Sequence, residues 1–335
     1  MKNKIIGALA VLRQKQVGAR TLATMDARSF TRTCFLSSIA DLGVHKLLPA
    51  SRDDIATALG ITEPDRLNAW LNLGVALKEL EDRNGQLSAK GRRLKAMTKN
   101  DRPLIHHYQS FPHFQAPTFA NLGPLLRHET NQSLYYPSTN SYAAINAESA
   151  ILPTVRTAAL EAPLARFLDI GCRTGTFTNG ILASRATMTG IAIDSNPDLV
   201  AGTKQRLNQQ GWGGRVKTQV SDVFDVHPEK TGTFGLITLI DQVILVPATR
   251  RLELFNHVAS LLEPGGFVVV VSTTTGSVAS AHLDFMLRCQ GSKTSLPTIS
   301  QLLADLAKAD LGVSHNDQLL PGEQLWAITA HRSWF

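Results

Sequence analysis

At 335 residues, the chain exceeds the usual size of one domain and predicts two domains that each bury a core. Its 34 Lys and Arg against 27 Asp and Glu leave a net charge of +7. No apolar run reaches the roughly 18 residues of a membrane-crossing helix, which excludes a helical membrane protein. Cys34, Cys172 and Cys289 stand far apart without a C-x-x-C spacing, which argues against a disulfide framework or a zinc site.

Lys2 and Lys4 ahead of Ile5 to Leu12 imitate a secretory signal. Arg13, Lys15 and Arg20 follow where small residues for cleavage belong, so a cytoplasmic location is expected. The basic excess lies in residues 1–100, with 17 Lys and Arg against 9 Asp and Glu; the remainder carries 17 against 18. Such asymmetry marks either a nucleic-acid face or a solvated helical surface.

From Phe35, FLSSIADLGVHKLL has helical spacing and stops at Pro49. Ser51 and Asp53 cap a short helix, DDIATALG, that Gly60 ends. A third helix is predicted through DRLNAWLNLGVALKELE, with Leu67, Leu71, Val75 and Leu80 on one side. Asn84-Gly85 then marks a two-residue hairpin. Three helices and a hairpin predict a winged helix over 1–100. In 101–150, Pro103, Pro112, Pro117, Pro124 and Pro137 break the pattern, and short helices linking the domains and contributing to a substrate cleft are expected.

From Ala165, short apolar strands alternate with helices: ARFLDI, TGIAID, VKTQVSD, GLITLID and FVVVVST, separated by stretches such as DLVAGTKQRLNQQ and TRRLELFNHVASLL. Continuous Val and Ile runs suit a parallel sheet covered on both faces. QLLADLAKADLG reads as a helix, and VSHNDQLL and QLWAITAHR flank Pro321-Gly322 as an antiparallel pair. Residues 151–335 therefore predict a Rossmann-like, doubly wound α/β sheet closed by a C-terminal antiparallel hairpin.

Ligands of open parallel sheets bind beyond the carboxyl ends of the strands. The first strand ends in Asp169, followed by a turn with Gly171 and Gly175 that lets backbone approach a ligand, ahead of a helix N-terminus. The second strand ends in Asp194, 25 residues after Asp169, near the spacing at which an acid meets ribose hydroxyls. The third ends in Ser221-Asp222, placed to meet an adenine amino group. A nicotinamide dinucleotide needs a third glycine where Thr176 stands. The acids favour a cationic, adenosine-bearing ligand.

The motifs FLDIGCRTG, AIDSNP, VSDVF and LLEPGGFVVVVS, in this order, resemble the class I S-adenosylmethionine-dependent methyltransferases over roughly residues 150–335. With the predicted winged helix, the whole chain resembles the small-molecule O-methyltransferases whose N-terminal domain mediates dimerisation. The resemblance implies a seven-stranded sheet, S-adenosylmethionine as cofactor, a homodimer formed through the N-terminal domain, and a metabolite or natural product as acceptor. It places the cofactor site at Asp169, Gly171, Gly175, Asp194, Asp222 and Val223. Two departures stand out. Arg173 occupies the position of the family's middle glycine, at a cost of about 1 kcal/mol or more if its φ is positive. The histidine base usual after the fourth strand is absent from IDQVILVPATRR. Direct displacement at a sulfonium tolerates that loss, because a base is required only for a poorly acidic hydroxyl.

Asp241, at the exit of the fourth strand, is the first candidate for contact with the acceptor or the transferring methyl, against a structural loop cap; Gln242 is the weaker one. His282 and Asp284 follow the fifth strand on a helix that could cover the acceptor. His257 lies off the apolar stripe of its helix and reads as exposed. His106, His107 and His113 either line a cleft or sit exposed, without metal-ligand spacing. Tyr135 and Tyr136 stack on an acceptor or pack. Cys172 reads as a small packed residue. The basic segment KGRRLKAMTK raises a DNA-binding regulator as an alternative, but the third helix offers mainly Arg66, Asn68 and Asn72 to base edges, which argues against nucleic acid. A catalytically silent S-adenosylmethionine binder is the other alternative.

Overall fold

A computed structural model describes residues 17–127, 144–289, 294–320 and 322–332. The segment Lys2 to Lys15, Tyr135, Tyr136, Pro137 and Pro321 lie outside the described residues. The chain forms two compact units, divided between Ala120 and Asn121.

In the first unit, α1 (Val17–Asp41) ends where Gly43 takes φ 73°, short of the Pro49 that the sequence predicts as its stop. Its later turns bury Phe35, Leu36, Ile39 and Ala40, whereas Leu22, Met25 and Phe30 are exposed. After β1 (Ala50–Ser51), α2 (Arg52–Leu59) opens with a capping box between Ser51 and Asp54, not Asp53. Helix α3 (Pro64–Ala76) is shorter than its apolar spacing suggests: Lys78 turns the chain at φ 61°, and Leu80 starts β2 (Leu80–Arg83) instead of closing the helix. Asn84 and Gly85, at φ 53° and 83°, make the tight turn into β3 (Gln86–Ala89), as a primed two-residue turn requires. The three strands pair in the order β1-β3-β2. Helices α4 (Arg92–Thr98) and α5 (Arg102–Ser110) complete the unit, and Ile105 and Tyr108 of α5 belong to its core. A π-helical turn (Phe111–Gln115) and α6 (Ala116–Ala120) follow.

The second unit begins with α7 (Leu122–Leu126) and α8 (Ala144–Glu161). Then come β4 (Arg166–Ile170), α9 (Thr176–Ser184), β5 (Thr189–Asp194), α10 (Pro197–Gln209) and β6 (Val216–Val220). They are followed by α11 (Pro228–Thr231), β7 (Phe234–Ile240), α12 (Arg251–Leu261), β8 (Leu262–Thr273), α13 (Val278–Cys289) and α14 (Ile299–Lys308). Strands β9 (Leu311–Gln318) and β10 (Leu325–Arg332) close it. The seven strands pair as β6-β5-β4-β7-β8-β10-β9, parallel up to β8, with β10 antiparallel to both its neighbours. The expected doubly wound sheet with a C-terminal antiparallel pair is the observed one.

Alternation along the strands builds two cores. Leu168, Ile170, Ile237, Leu239, Val268 and Val270 face α12 and α14; Phe167, Leu236, Ile240, Val269 and Val271 face α8 and α9. Pro264-Gly265-Gly266, within the motif LLEPGGFVVVVS, lies inside β8 as an irregularity opposite Phe234 and Leu236, with Gly265 at φ 76°. Among the described residues, no helix is long and apolar enough to cross a membrane.

Candidate active site

Strand β4 sits between β5 and β7, so the connections leaving β4 and β6 diverge to opposite sides of it. That switch opens a crevice at the carboxyl ends of β4 and β7. The turn after β4 is bound to β5: the N–H groups of Gly171 and Cys172 both donate to the Ile193 carbonyl, at 2.8 and 2.9 Å. Gly171 (φ 73°) and Gly175 (φ 75°) hold left-handed conformations. A Cβ at Gly171 would lie 1.9 Å from the Gln242 side-chain nitrogen, and one at Gly175 would lie 2.8 Å from a Thr203 methyl. Arg173, at φ 48°, adopts the left-handed conformation without being glycine. The expected strain is therefore present.

Asp194 secures this turn. One carboxylate oxygen accepts from the Arg173 N–H at 3.0 Å and the other from the Asn196 N–H at 2.9 Å, which links the loops after β4 and β5. A carboxylate oxygen has a second lone pair, so both bonds leave acceptor capacity toward the crevice.

Asp169 is placed differently from the expectation that it meets a ligand. It lies one residue inside β4, is 1 % exposed, and accepts from the hydroxyls of Thr178 on α9 and Thr238 on β7, the latter at 2.7 Å. Burial pushes its carboxyl above the ordinary range, against the pull of the two hydroxyls. As placed, it braces α9 against β7 from beneath the turn.

At the exit of β6, Asp222 is exposed and accepts from the Phe224 N–H at 2.9 Å, while Val223 is buried. His257 on α12, read from the sequence as exposed, is half-buried instead. Its Nε2 lies 2.9 Å from the Val223 carbonyl and its ring packs 5.6 Å from that of Phe224, over which the Arg250 guanidinium lies at 4.5 Å. Apolar periodicity ranked it by its helix stripe, whereas its partner comes from the β6 loop.

At the exit of β7, Asp241 takes φ 54° and its N–H donates to the Val271 carbonyl at 2.7 Å. Its carboxylate lies 3.7 Å from the Arg173 guanidinium, and Oδ1 is buried without a hydrogen-bond partner. Burial raises its pKa, with Arg173 pulling the other way. Gln242 lies over Gly171. The residues at the exit of β7 thus reach those of the turn after β4.

His282 is half-buried on α13, and burial depresses its pKa. That helix packs against the same exit, because Leu283 clusters with Ile244 and Leu296. Asp284 serves locally, pairing with Arg288 at 2.7 Å and accepting from the Leu296 N–H at 3.0 Å. His106, His107 and His113 belong to the first unit, where His113 pairs with Asp41 at 2.7 Å. Among the described residues, no cluster could hold a metal ion. Cys172 is buried and its thiol is pushed up, consistent with a packed residue.

Thr178 and Thr238 were the residues that sequence reasoning missed. Thr238 had a signal, being the one polar residue in the apolar run FGLITLI. The residues fit a cationic adenosyl group: Asp194 and Asp222 stand at the exits of β5 and β6, and the buried Asp241 Oδ1 has no hydrogen-bond partner.

Residues 167–266 match a family model described as a methyltransferase domain. A ubiquinone biosynthesis O-methyltransferase of Xanthomonas axonopodis pv. citri is 33 % identical over 127 residues, 37 % of this chain and 51 % of that protein. The chain thus spans about half the length of the curated relatives it matches. Among solved structures, mitomycin 7-O-methyltransferase superposes with a TM-score of 0.73 at 14 % identity, covering 95 % of this chain and 99 % of that one. Human N-acetylserotonin methyltransferase, in complex with S-adenosylmethionine, gives 0.68 at 18 % identity, covering 96 % and 99 %. At these identities the structures share the fold. Residues 167–266 of this chain thus carry the match to a methyltransferase domain, on a fold that these methyltransferase structures share.

Proposed function

We propose that the protein transfers the methyl group of S-adenosylmethionine to a small-molecule acceptor by direct displacement. The observation that carries this reading is the Asp194 carboxylate. It joins the loops after β4 and β5 at the switch of the sheet and retains acceptor capacity for two vicinal hydroxyls. Asp194 meets the ribose, Asp222 and the Val223 backbone meet the adenine edge, and the Gly171–Gly175 turn lies along the rest of the ligand. The bound cofactor supplies an electrophilic methyl on a cationic sulfur.

On the acceptor side, His282 is the base where one is needed. Burial favours its neutral form, which can take a proton at neutral pH. Asp241, the other candidate, faces Arg173 and serves the cofactor. A hydroxyl acceptor is favoured, in keeping with the mitomycin-directed relative, and a metabolite or natural product fits the fold's neighbours.

The first unit supports a homodimer and argues against a DNA reader. Leu22, Met25 and Phe30 are 63, 57 and 61 % exposed on α1, an apolar surface suited to a second copy of this chain. Asn68 and Asn72 of α3, the residues a winged helix would turn to bases, are held by Arg52, at 3.2 and 2.9 Å from their side-chain oxygens. The free cysteines Cys34, Cys172 and Cys289 suit a cytoplasmic setting.

Calorimetry with S-adenosylmethionine and S-adenosylhomocysteine tests the assignment, followed by methyl transfer to a panel of phenols. Failure to bind either ligand sinks the proposal, and binding without transfer to any acceptor would turn it into a silent binder. Light scattering of a Leu22→Ser/Met25→Ser/Phe30→Ser variant should report a monomer where the parent is a dimer.

A further inference from the structure

Arg173 brings a positive charge into a turn where the resemblance leads one to expect glycine, and its φ of 48° is strained. Asp241, across the crevice, is strained in the same way, and both are non-glycine residues in the left-handed region, at φ 48° and 54°. Their side chains face each other at 3.7 Å, beyond the length of a good N–H···O bond. The pair is therefore loose. Arg173 has five N–H donors to place, and although the Thr273 backbone also draws on the Asp241 carboxylate, its buried Oδ1 has no hydrogen-bond partner. Two opposite charges incompletely satisfied by each other, on adjacent strand exits, suit a ligand that presents both charges a single carbon apart.

We propose that Arg173 and Asp241 form a receptor for the amino-acid end of the cofactor. The guanidinium takes the α-carboxylate, and Asp241 Oδ1 accepts from the α-ammonium. The proposal rests on the cofactor reading above and adds an assignment to it: recognition of the carboxylate passes to an arginine side chain. In the proposed arrangement the Arg173–Asp241 contact gives way to four charges in which each protein charge faces a ligand charge. The same geometry accommodates Gln242, whose side chain lies over Gly171. With Asp241 turned toward the ligand, its neighbour covers the glycine that no side chain could replace.

The test is calorimetric and uses the full chain with three probes: S-adenosylhomocysteine, decarboxylated S-adenosylmethionine, and 5′-methylthioadenosine, which lacks the amino-acid end. The parent protein should bind S-adenosylhomocysteine about 10- to 100-fold more tightly than either of the others, the range expected of a charge-assisted contact. Arg173→Gly relieves the left-handed strain and so preserves the turn. It should remove most of that preference while leaving 5′-methylthioadenosine affinity within about twofold, the resolution of the comparison. Arg173→Lys should keep part of the preference, as a point charge without the planar fork. Equal losses for all three probes in Arg173→Gly would mean that the residue shapes the turn and does not read the carboxylate. An unchanged preference would equally overturn the assignment. If the parent binds none of the probes, the cofactor reading itself has failed, and the two failures are thereby distinguished.

Discussion

Thr238→Val isolates the brace beneath the cofactor turn. Thr238 is fully buried at the centre of β7, and its hydroxyl donates to Asp169 at 2.7 Å. Valine keeps the shape and removes the donor. A hydrogen bond to a charged group contributes about 1.5–3 kcal/mol net, and the added methyl returns up to about 0.8 kcal/mol in an apolar surrounding, so a loss of about 1–2 kcal/mol is expected. For a unit of this size, that lowers the melting temperature by about 2–8 °C. The pH dependence has a definite sign. Burial raises the Asp169 pKa in the folded state, so its charged form opposes folding, and that contribution grows as pH rises through the folded pKa. Losing a donor to the carboxylate raises the folded pKa further. The deficit of Thr238→Val should therefore be larger at pH 8 than at pH 5 in thermal melts. Repeating the substitution in an Asp169→Asn background closes a double-mutant cycle. A coupling near zero, or a deficit independent of pH, would refute the brace.

Asp194→Ala should weaken S-adenosylhomocysteine binding by at least tenfold, and should also lower the melting temperature, because its carboxylate holds the Arg173 and Asn196 N–H groups; unchanged affinity would remove the ribose assignment. His282→Ala should abolish transfer to a poorly acidic hydroxyl while sparing ligand affinity in calorimetry. In the parent, the acid limb of the rate profile should fall below histidine's ordinary value near 6.5, since burial lowers this pKa and the neutral ring is the active form. His257→Phe keeps a ring beside Phe224 and loses the bond to the Val223 carbonyl; a several-fold weaker affinity with an unchanged circular dichroism spectrum is expected. Asp241→Asn should stabilise the protein without ligand near neutral pH and weaken S-adenosylhomocysteine binding, because burial opposes the Asp241 charge in the folded chain and raises its pKa; a thermal shift and a titration on one preparation read both signs.

What the sequence made legible was local or periodic. The apolar runs of β4, β7 and β8 gave the sheet, Asn84-Gly85 gave the hairpin, and the interval between Asp169 and Asp194 placed two strand exits side by side. What stayed hidden depended on contacts between distant segments. Nothing near Asp169 tells that Thr178 and Thr238 claim its oxygens, because the second lies 69 positions away and meets it only through the β4–β7 register. His257 has the same history, its partner Val223 being supplied by another strand exit. Helix α3 ended early for a local reason that periodicity cannot register: Lys78 turned left-handed, and the apolar spacing continued past it to Leu80 in β2.

The contrast explains why a glycine motif tolerates Arg173. Read locally, a side chain at φ 48° is a defect costing about 1 kcal/mol. Its backbone N–H is held by Asp194, its carbonyl by the Thr203 hydroxyl at 2.6 Å, and its guanidinium faces Asp241. Each partner comes from a different strand exit or helix, and together they outweigh the local preference. The strain persists because the surroundings determine the turn several times over. A backbone so fixed sets where the side chain leaves the turn, and the proposed carboxylate contact uses the guanidinium that this placement brings beside Asp241.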